Sequence, residues 1–222
     1  MSTDFALPDS LSLDDLHTFL ARASAVDDGA VRLIGTGGVL AAYVGVLSPA
    51  GLLDTSPTVL GLRTYALAAE STFDAVVSLR SVVERLVRLQ NEIVDPTAPV
   101  VVSLPPSVIT ASWAAISPPR GGWTAQTALE SATLEAVAKA GIEEVAGVIP
   151  AGTGEQIVQR VRSGVWSRPV EGSDVPAGAA FAALTLGFLV DDEPARVFVV
   201  GAWTRLSTSR GHVLVKRRSG LL

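Results

Sequence analysis

The C-terminal part of the sequence carries the side chains whose types and spacing come closest to a binding site. Trp203 and Arg205 stand two residues apart in a predicted strand, so their side chains share one face. Arg210 falls in the following loop, and His212 begins the return strand. A guanidinium suits a carboxylate or a phosphate, and a neighbouring indole offers a stacking surface. These four residues predict an anion- or partner-binding site, with a solvated hairpin that binds nothing as the alternative.

Side chains for catalysis and metal binding are scarce in this chain of 222 residues. It has no cysteine, two histidines and two lysines, against fifteen arginines. Cysteine, histidine and lysine supply many of the nucleophiles, proton shuttles and transition-metal ligands of proteins. The composition therefore predicts no catalytic residue, no metal and no cofactor, and it argues against an enzyme. An anion-binding or small-molecule-binding protein, or an enzyme that works with arginine and carboxylates alone, remains the alternative.

Two glycine-rich stretches resemble phosphate-binding loops. Residues 35–38 follow an apolar strand, as in a dinucleotide site, but residues 39–47 favour a second strand, and the glycines then form a hairpin turn. Residues 151–154 precede a predicted helix without the lysine of a P-loop. Helix capping by Thr153 and Gln156 explains this second stretch without a ligand.

The first half of the chain predicts helices and strands in neighbouring groups. Ser12 with Asp15, and Ser71 with Asp74, have the spacing of capping boxes at helix starts. The hydrophobic pattern predicts helices at 12–26 and 71–91, and strands at 31–36, 39–47, 58–68, 99–104 and 107–116.

The second half predicts mainly helices, followed by a hairpin. The helices are expected at 127–140, 142–149, 153–166 and 177–189, and the hairpin joins 195–206 to 212–217. The helix at 177–189 is apolar on every side, so it is predicted to be the most buried, with Phe181 and Phe188 as anchors.

This arrangement of elements predicts an α+β fold. Strands joined by hairpins, without strict alternation with helices, indicate a mostly antiparallel sheet with helices packed on it, and a helical second half that ends in a β-hairpin. The length fits one α+β domain over 1–222. The proline- and glycine-rich stretch at 117–123 suggests a division into sub-halves at 1–118 and 119–222.

A family resemblance lies in the C-terminal segment. Residues 201–218, GAWTRLSTSRGHVLVKRR, resemble the late hairpin of the EspG-like chaperones, which are associated with type VII secretion in actinobacteria. Those proteins often carry a DT-x-x-GR stretch between two strands. Residues 207–212 take its place here without the acid and the final arginine, and AGLLD at 50–54 is similar to another such passage. The resemblance implies a chaperone role in secretion and carries over no site residue.

Composition and charge predict a protein that binds a partner protein or assembles with itself. Hydrophobic residues make up 48% of the chain and charged residues only 18%, so part of the apolar surface is expected to be covered by another chain. A net charge of −5 gives no general attraction to nucleic acid. The longest apolar run, 177–190, is too short to span a bilayer, and no signal peptide is visible. We therefore expect a cytoplasmic, non-enzymatic homo-oligomer or heteromeric complex from the GC-rich genome of an actinobacterium.

Overall fold

The computed structural model describes residues 4–49, 51, 54, 56–106, 109–148 and 154–217. This part of the chain contains ten strands in antiparallel sheets and five α-helices, so the predicted α+β class is confirmed. The strands are β1 (Asp4–Leu7), β2 (Ala30–Thr36), β3 (Val39–Leu47), β4 (Thr58–Ala66), β5 (Phe73–Ser78), β6 (Val100–Ser103), β7 (Thr124–Leu129), β8 (Ala195–Val200), β9 (Trp203–Thr208) and β10 (Gly211–Lys216). The helices are α1 (Ser10–Ser24), α2 (Leu79–Glu92), α3 (Ser131–Val148), α4 (Glu155–Trp166) and α5 (Ala177–Thr185).

The chain forms two compact units. The first, called the N-unit here, comprises Met1–Gly45 and Leu62–Ser117. The second, called the C-unit, comprises Val46–Gly61 and Pro118–Leu222.

The N-unit places a pair of helices and a sheet around one apolar core. Its strands follow the order β5-β2-β3-β4, and Val31 of β2 lies opposite Val44 on one side and Val77 on the other. All three valines are buried, as are Leu16 of α1 and Leu86 of α2. Because α1 and α2 pack against each other, their buried leucines complete the core.

The predicted helix at 71–91 is wrong over its first part. The chain there forms strand β5, and α2 begins only after Ser78, whose side chain accepts a hydrogen bond from the backbone N–H of Ser81 at 3.3 Å. Asp74 does not cap a helix, because it binds the guanidinium of Arg32 through both carboxylate oxygens at 2.9 and 2.6 Å. Pairing of β5 with β2 therefore outweighs the false capping signal.

The start of α1 also differs from the prediction. The cap is Asp9, whose carboxylate accepts from the N–H of Ser12 at 2.8 Å, so α1 begins at Ser10. Ser12 and Asp15 lie inside the helix.

The strand predicted at 107–116 is wrong over residues 109–116. Residues 107 and 108 lie outside the described residues. Residues 112–115 form a single 3₁₀ turn. The turn brings Trp113 onto Gly45, where an added Cβ would lie 2.5 Å from the indole Nε1. This close packing of indole on backbone accounts for the turn.

The C-unit places helices against strands in the order β10-β9-β8-β7. Helix α5 is the most buried helix in the described part of the chain, as predicted, with six of its nine residues inaccessible. It ends at Thr185 rather than at residue 189, and Gly187 has a φ of 72° just beyond the end. Phe188 is 1% exposed, and Phe181 stacks on Trp166 with ring centroids 4.5 Å apart.

The helices predicted at 127–140 and 142–149 are wrong in their boundaries. Thr127 belongs to strand β7, and one continuous helix, α3, follows it. Gly141, which separates the two predicted helices, lies inside α3. An added Cβ at Gly141 would lie 2.4 Å from Cζ3 of Trp166, so the glycine permits close packing between α3 and the indole.

The strand predicted at 195–206 is two strands. Gly201, with a φ of 53°, and Ala202 form the turn between β8 and β9. The terminal hairpin then joins β9 to β10, with Gly211 opposite Thr208. A three-stranded meander therefore replaces the predicted two-stranded hairpin, and this change decides which side chains surround Arg205.

Candidate functional site

One face of the β8–β9–β10 meander gathers most of the predicted site. Directly opposite residues of antiparallel strands share a face. Phe198 lies opposite Arg205, and Ser207 lies opposite both Arg196 and His212. We call this side of the meander the arginine face.

Arg205 lies against two aromatic rings. Its guanidinium carbon is 4.7 Å from the ring centre of Trp123 and 4.6 Å from that of Phe198, within the range of cation–π contacts. Its Nε is buried and has no hydrogen-bond partner among the described residues. Burial lowers the pKa of Arg205 from its ordinary value, and the positive charge of Arg196 lowers it further. The surroundings of this cation therefore favour the approach of a negative charge.

His212 is half-buried beside the same arginines. Its Nδ1 lies 2.9 Å from the Ser207 hydroxyl, and the tautomer sets which of the two donates. Burial lowers the pKa of His212, and the charges of Arg205 and Arg196 add to that effect. The imidazole is accordingly neutral at pH 7, and it serves as a hydrogen-bonding group rather than a third cation.

Among the described residues, the two arginines of the arginine face have no ion-pair partner. Neither Arg196 nor Arg205 forms an ion pair with any residue that the structure describes. Glu193 is close enough for the charge of Arg196 to lower its pKa, but its two carboxylate oxygens accept from the backbone N–H and hydroxyl of Ser209, at 2.7 and 2.6 Å. Those hydrogen bonds are the main cause of the lowered pKa of Glu193.

The two other predicted site residues are placed differently. Arg210 lies in the β9–β10 turn, is exposed, and donates to the Leu189 carbonyl at 3.4 Å, so it does not join Arg205. Trp203 is on the arginine face but is buried, with the Lys216 ammonium 5.8 Å from its ring centre. It supports the strand rather than offering an open stacking surface.

Sequence reasoning missed four residues of the arginine face. Phe198 and Arg196 were predicted in the same strand as Arg205. That prediction hid the pairing of Phe198 with Arg205 and of Arg196 with Ser207 across two strands. Trp123 precedes β7, far away in sequence, and Ser207 was placed in the loop. The turn-forming Gly201-Ala202 pair was the signal that could have separated β8 from β9.

A cleft of about 760 Å³ opens on the opposite face of the C-unit sheet. Val197, Val199 and Thr204 form its floor, and residues 172–175 line it as well. Arg217 also lines it and donates to the main-chain carbonyl of Asp174. Trp203 lines the cleft as well, but Arg196, Arg205 and His212 do not, so the cleft shares only that residue with the cationic part of the sheet.

Within the described residues, strand β7 forms the end of the C-unit sheet and has β8 as its one neighbouring strand. Its six residues, TAQTAL, include no charge and no proline, and all but Leu129 are exposed. The register slips between Gln126 and Leu129, so Thr127 and Ala128 have no partner residue on β8. Edge strands usually carry charges or prolines that prevent pairing with a strand of another chain. In β7, the slip in register is the one feature of this kind.

Other ligand chemistry finds little support in the described residues. Residues 35–38 end β2 and begin the β2–β3 hairpin turn, where Gly37 has a φ of 57°, so the hairpin interpretation is confirmed and the dinucleotide site is wrong. Residues 151–153 lie outside the described part.

Within the described part, no group of three or more His, Cys, Asp or Glu side chains could hold a metal ion. Nor does any helix there have the length and apolar character needed to cross a membrane.

Comparison with solved structures identifies the class of fold. The whole chain matches the sliding clamp of Bartonella birtlesii bound to griselimycin, with a TM-score of 0.54 at 10% identity, and that of Bacillus subtilis, with 0.54 at 8%. The clamp of Caulobacter crescentus matches with a TM-score of 0.51 at 10% identity. The chain covers 66%, 66% and 67% of these three clamp chains, about two thirds of their length. At such identity the likeness establishes the fold alone: this is a sliding-clamp fold.

Two family models match the sequence within that fold. The domain of unknown function DUF8010 matches residues 1–105, and the domain of unknown function DUF8185 matches residues 118–220. No curated protein matches the chain. The resemblance to EspG-like chaperones stays a prediction, since neither model bears on it.

Proposed function

We propose that this chain is an assembling, partner-binding protein that uses the sliding-clamp fold, and that copies of it join through the free edge of β7. The matched structures are sliding clamps of DNA polymerases. At 8–10% identity they support the architecture of the proposal, while the contact is argued from the residues of β7.

The observation that carries the proposal is the open edge of β7. The N–H and C=O groups on the outer side of an edge strand can pair with a strand from another chain. Five of its six residues are exposed, and none is charged. Strand β5, at the end of the N-unit sheet, is less open, because Val76 accepts from the N–H of Ile109 at 3.0 Å and the strand carries Asp74.

Charge favours a protein over a nucleic acid as the partner. The chain has a net charge of −5, so it offers no general attraction to phosphates. Helix α3 carries three glutamates against one lysine. The absence of nucleic-acid binding is thus part of the proposal, as are the cytoplasmic location and the lack of enzymatic activity.

The test is the mass of the protein in solution, measured by light scattering over a range of concentrations. The wild-type chain is expected at a multiple of 22.9 kDa. The double variant Ala125→Lys with Thr127→Lys places two charges on exposed positions of β7 and is expected at 22.9 kDa.

A matched control separates the edge from general charge effects. Thr133→Lys with Ala136→Lys makes the same changes at exposed positions of α3 and should assemble like wild type. A wild-type chain that stays at 22.9 kDa, or an edge variant that still assembles, contradicts the proposal. Binding of a labelled DNA duplex at physiological salt would contradict the choice of protein as partner.

A further inference from the structure

We infer that the arginine face is a docking site for an acidic segment of a partner protein, with Arg205 binding a carboxylate side chain and Arg196 supporting it. This inference does not depend on how copies of the chain assemble. It rests on three observations at Arg205: its two ring contacts, its unpartnered Nε and the absence of a neutralising acid.

The ring contacts leave the end of the guanidinium as its available part. Trp123 and Phe198 cover Arg205 at 4.7 and 4.6 Å, and its Nε is enclosed. The residue as a whole is only half-buried, so its terminal nitrogens are the atoms that can meet a ligand. A guanidinium fixed in this way presents a planar fork, which matches the two oxygens of one carboxylate.

The charges of the face are arranged to attract an acid. Arg196 and Arg205 repel each other, and no carboxylate among the described residues pairs with either. Glu193, whose pKa the charge of Arg196 helps to lower, accepts hydrogen bonds from Ser209 instead of pairing with either arginine. A carboxylate from another chain would supply the charge that the face lacks, while the Ser207–His212 pair offers hydroxyl and imidazole groups beside it.

The form of the site favours an acidic protein segment over a nucleic acid. A phosphate backbone is best held by many cations spread along a surface. Here only two arginines lack an acidic partner, and the chain around them carries a net charge of −5. A single carboxylate on a peptide can be bound by one guanidinium group such as that of Arg205.

The test uses a fluorescein-labelled peptide that alternates glutamate and glycine, with binding followed by anisotropy at physiological salt. A counterpart with glutamine in place of glutamate is the peptide control. We expect the glutamate peptide to bind and the glutamine peptide not to bind. The change Arg205→Gln should weaken binding by at least about tenfold, because a charged hydrogen-bonded pair is lost.

Two further variants make the result specific. Arg160→Gln removes the same charge from an exposed position of α4 and should leave binding unchanged. Arg205→Lys keeps the charge but not the fork, and should lose most of the binding while the circular dichroism spectrum stays that of wild type.

Three outcomes would overturn the inference. The wild-type chain could fail to bind the glutamate peptide. Arg160→Gln could weaken binding as much as Arg205→Gln, which would indicate unspecific attraction. A single-stranded DNA oligonucleotide could displace the peptide from the wild-type chain but not from Arg205→Gln, which would assign the face to nucleic acid.

Discussion

Two glycine-to-alanine changes in helices of the C-unit should alter stability in opposite directions. Alanine is normally preferred to glycine inside a helix by about 1 kcal/mol. At Gly141, however, the added Cβ would lie 2.4 and 2.7 Å from ring carbons of Trp166, and 3.2 Å from a methyl of Val165. At Gly164 of α4, nothing lies within 4 Å of the added Cβ.

The size of the effect at Gly141 follows from the packing of Trp166. Carbon atoms normally approach to about 3.5–4.0 Å, so the overlap is more than about 1 Å. The indole is 3% exposed and stacks on Phe181, so it cannot simply swing aside. Overpacking of this kind costs about 1–3 kcal/mol. After the helix-propensity gain of about 1 kcal/mol is subtracted, Gly141→Ala should destabilise the C-unit by up to about 2 kcal/mol.

Urea denaturation followed by tryptophan fluorescence measures both changes. Gly141→Ala should lower the midpoint by up to about 1 M, and Gly164→Ala should leave it equal or raise it. The reasoning is refuted if the midpoints of the two variants shift in the same direction.

Three more predictions follow from particular contacts. Phe188→Ala should cost about 3–5 kcal/mol in urea denaturation, because the ring is 1% exposed; a loss below about 1 kcal/mol would show that the site is not core. The hydrogen bonds from Arg32 hold the pKa of Asp74 below its ordinary 3.8, so this pair stabilises the fold above about pH 4, and the contribution is lost as the pH falls through the folded pKa. Since Asp74 is half-exposed, Asp74→Asn should cost no more than about 1 kcal/mol at pH 7, and the cost should shrink as the pH falls below the ordinary 3.8; a cost that does not change with pH would contradict this. An NMR titration should place the pKa of His212 below 6.5, and Arg205→Gln should raise it; an unchanged value would show that the charge of Arg205 does not reach the imidazole.

The sequence predicted the elements whose signals are local. The β2–β3 hairpin is confirmed because a glycine pair interrupts two β-branched runs, and this signal needs no tertiary partner. Burial of α5 is confirmed because its residues are apolar on every side. Both features follow from short stretches of the chain.

The errors arise where distant residues decide the structure. In isolation, residues 73–77 are compatible with a helix or a strand, and it is pairing with β2 that makes them a strand. A glycine such as Gly141 often ends a helix, but here α3 continues through it and Trp166 packs against it. The same holds for the site. The shared face of Trp203 and Arg205 follows from their spacing in one strand, but Trp123 reaches Arg205 only through the folded sheet.

Hydrogen exchange at β7 tests the central claim most directly. If another chain covers the edge of β7, the amides of Thr124–Leu129 should exchange as slowly as those of β8 at high protein concentration. On dilution, the β7 amides should lose this protection. The Ala125→Lys, Thr127→Lys variant should exchange quickly at every concentration. Fast exchange at β7 in the wild-type protein at high concentration, with β8 still protected, would contradict assembly through this edge.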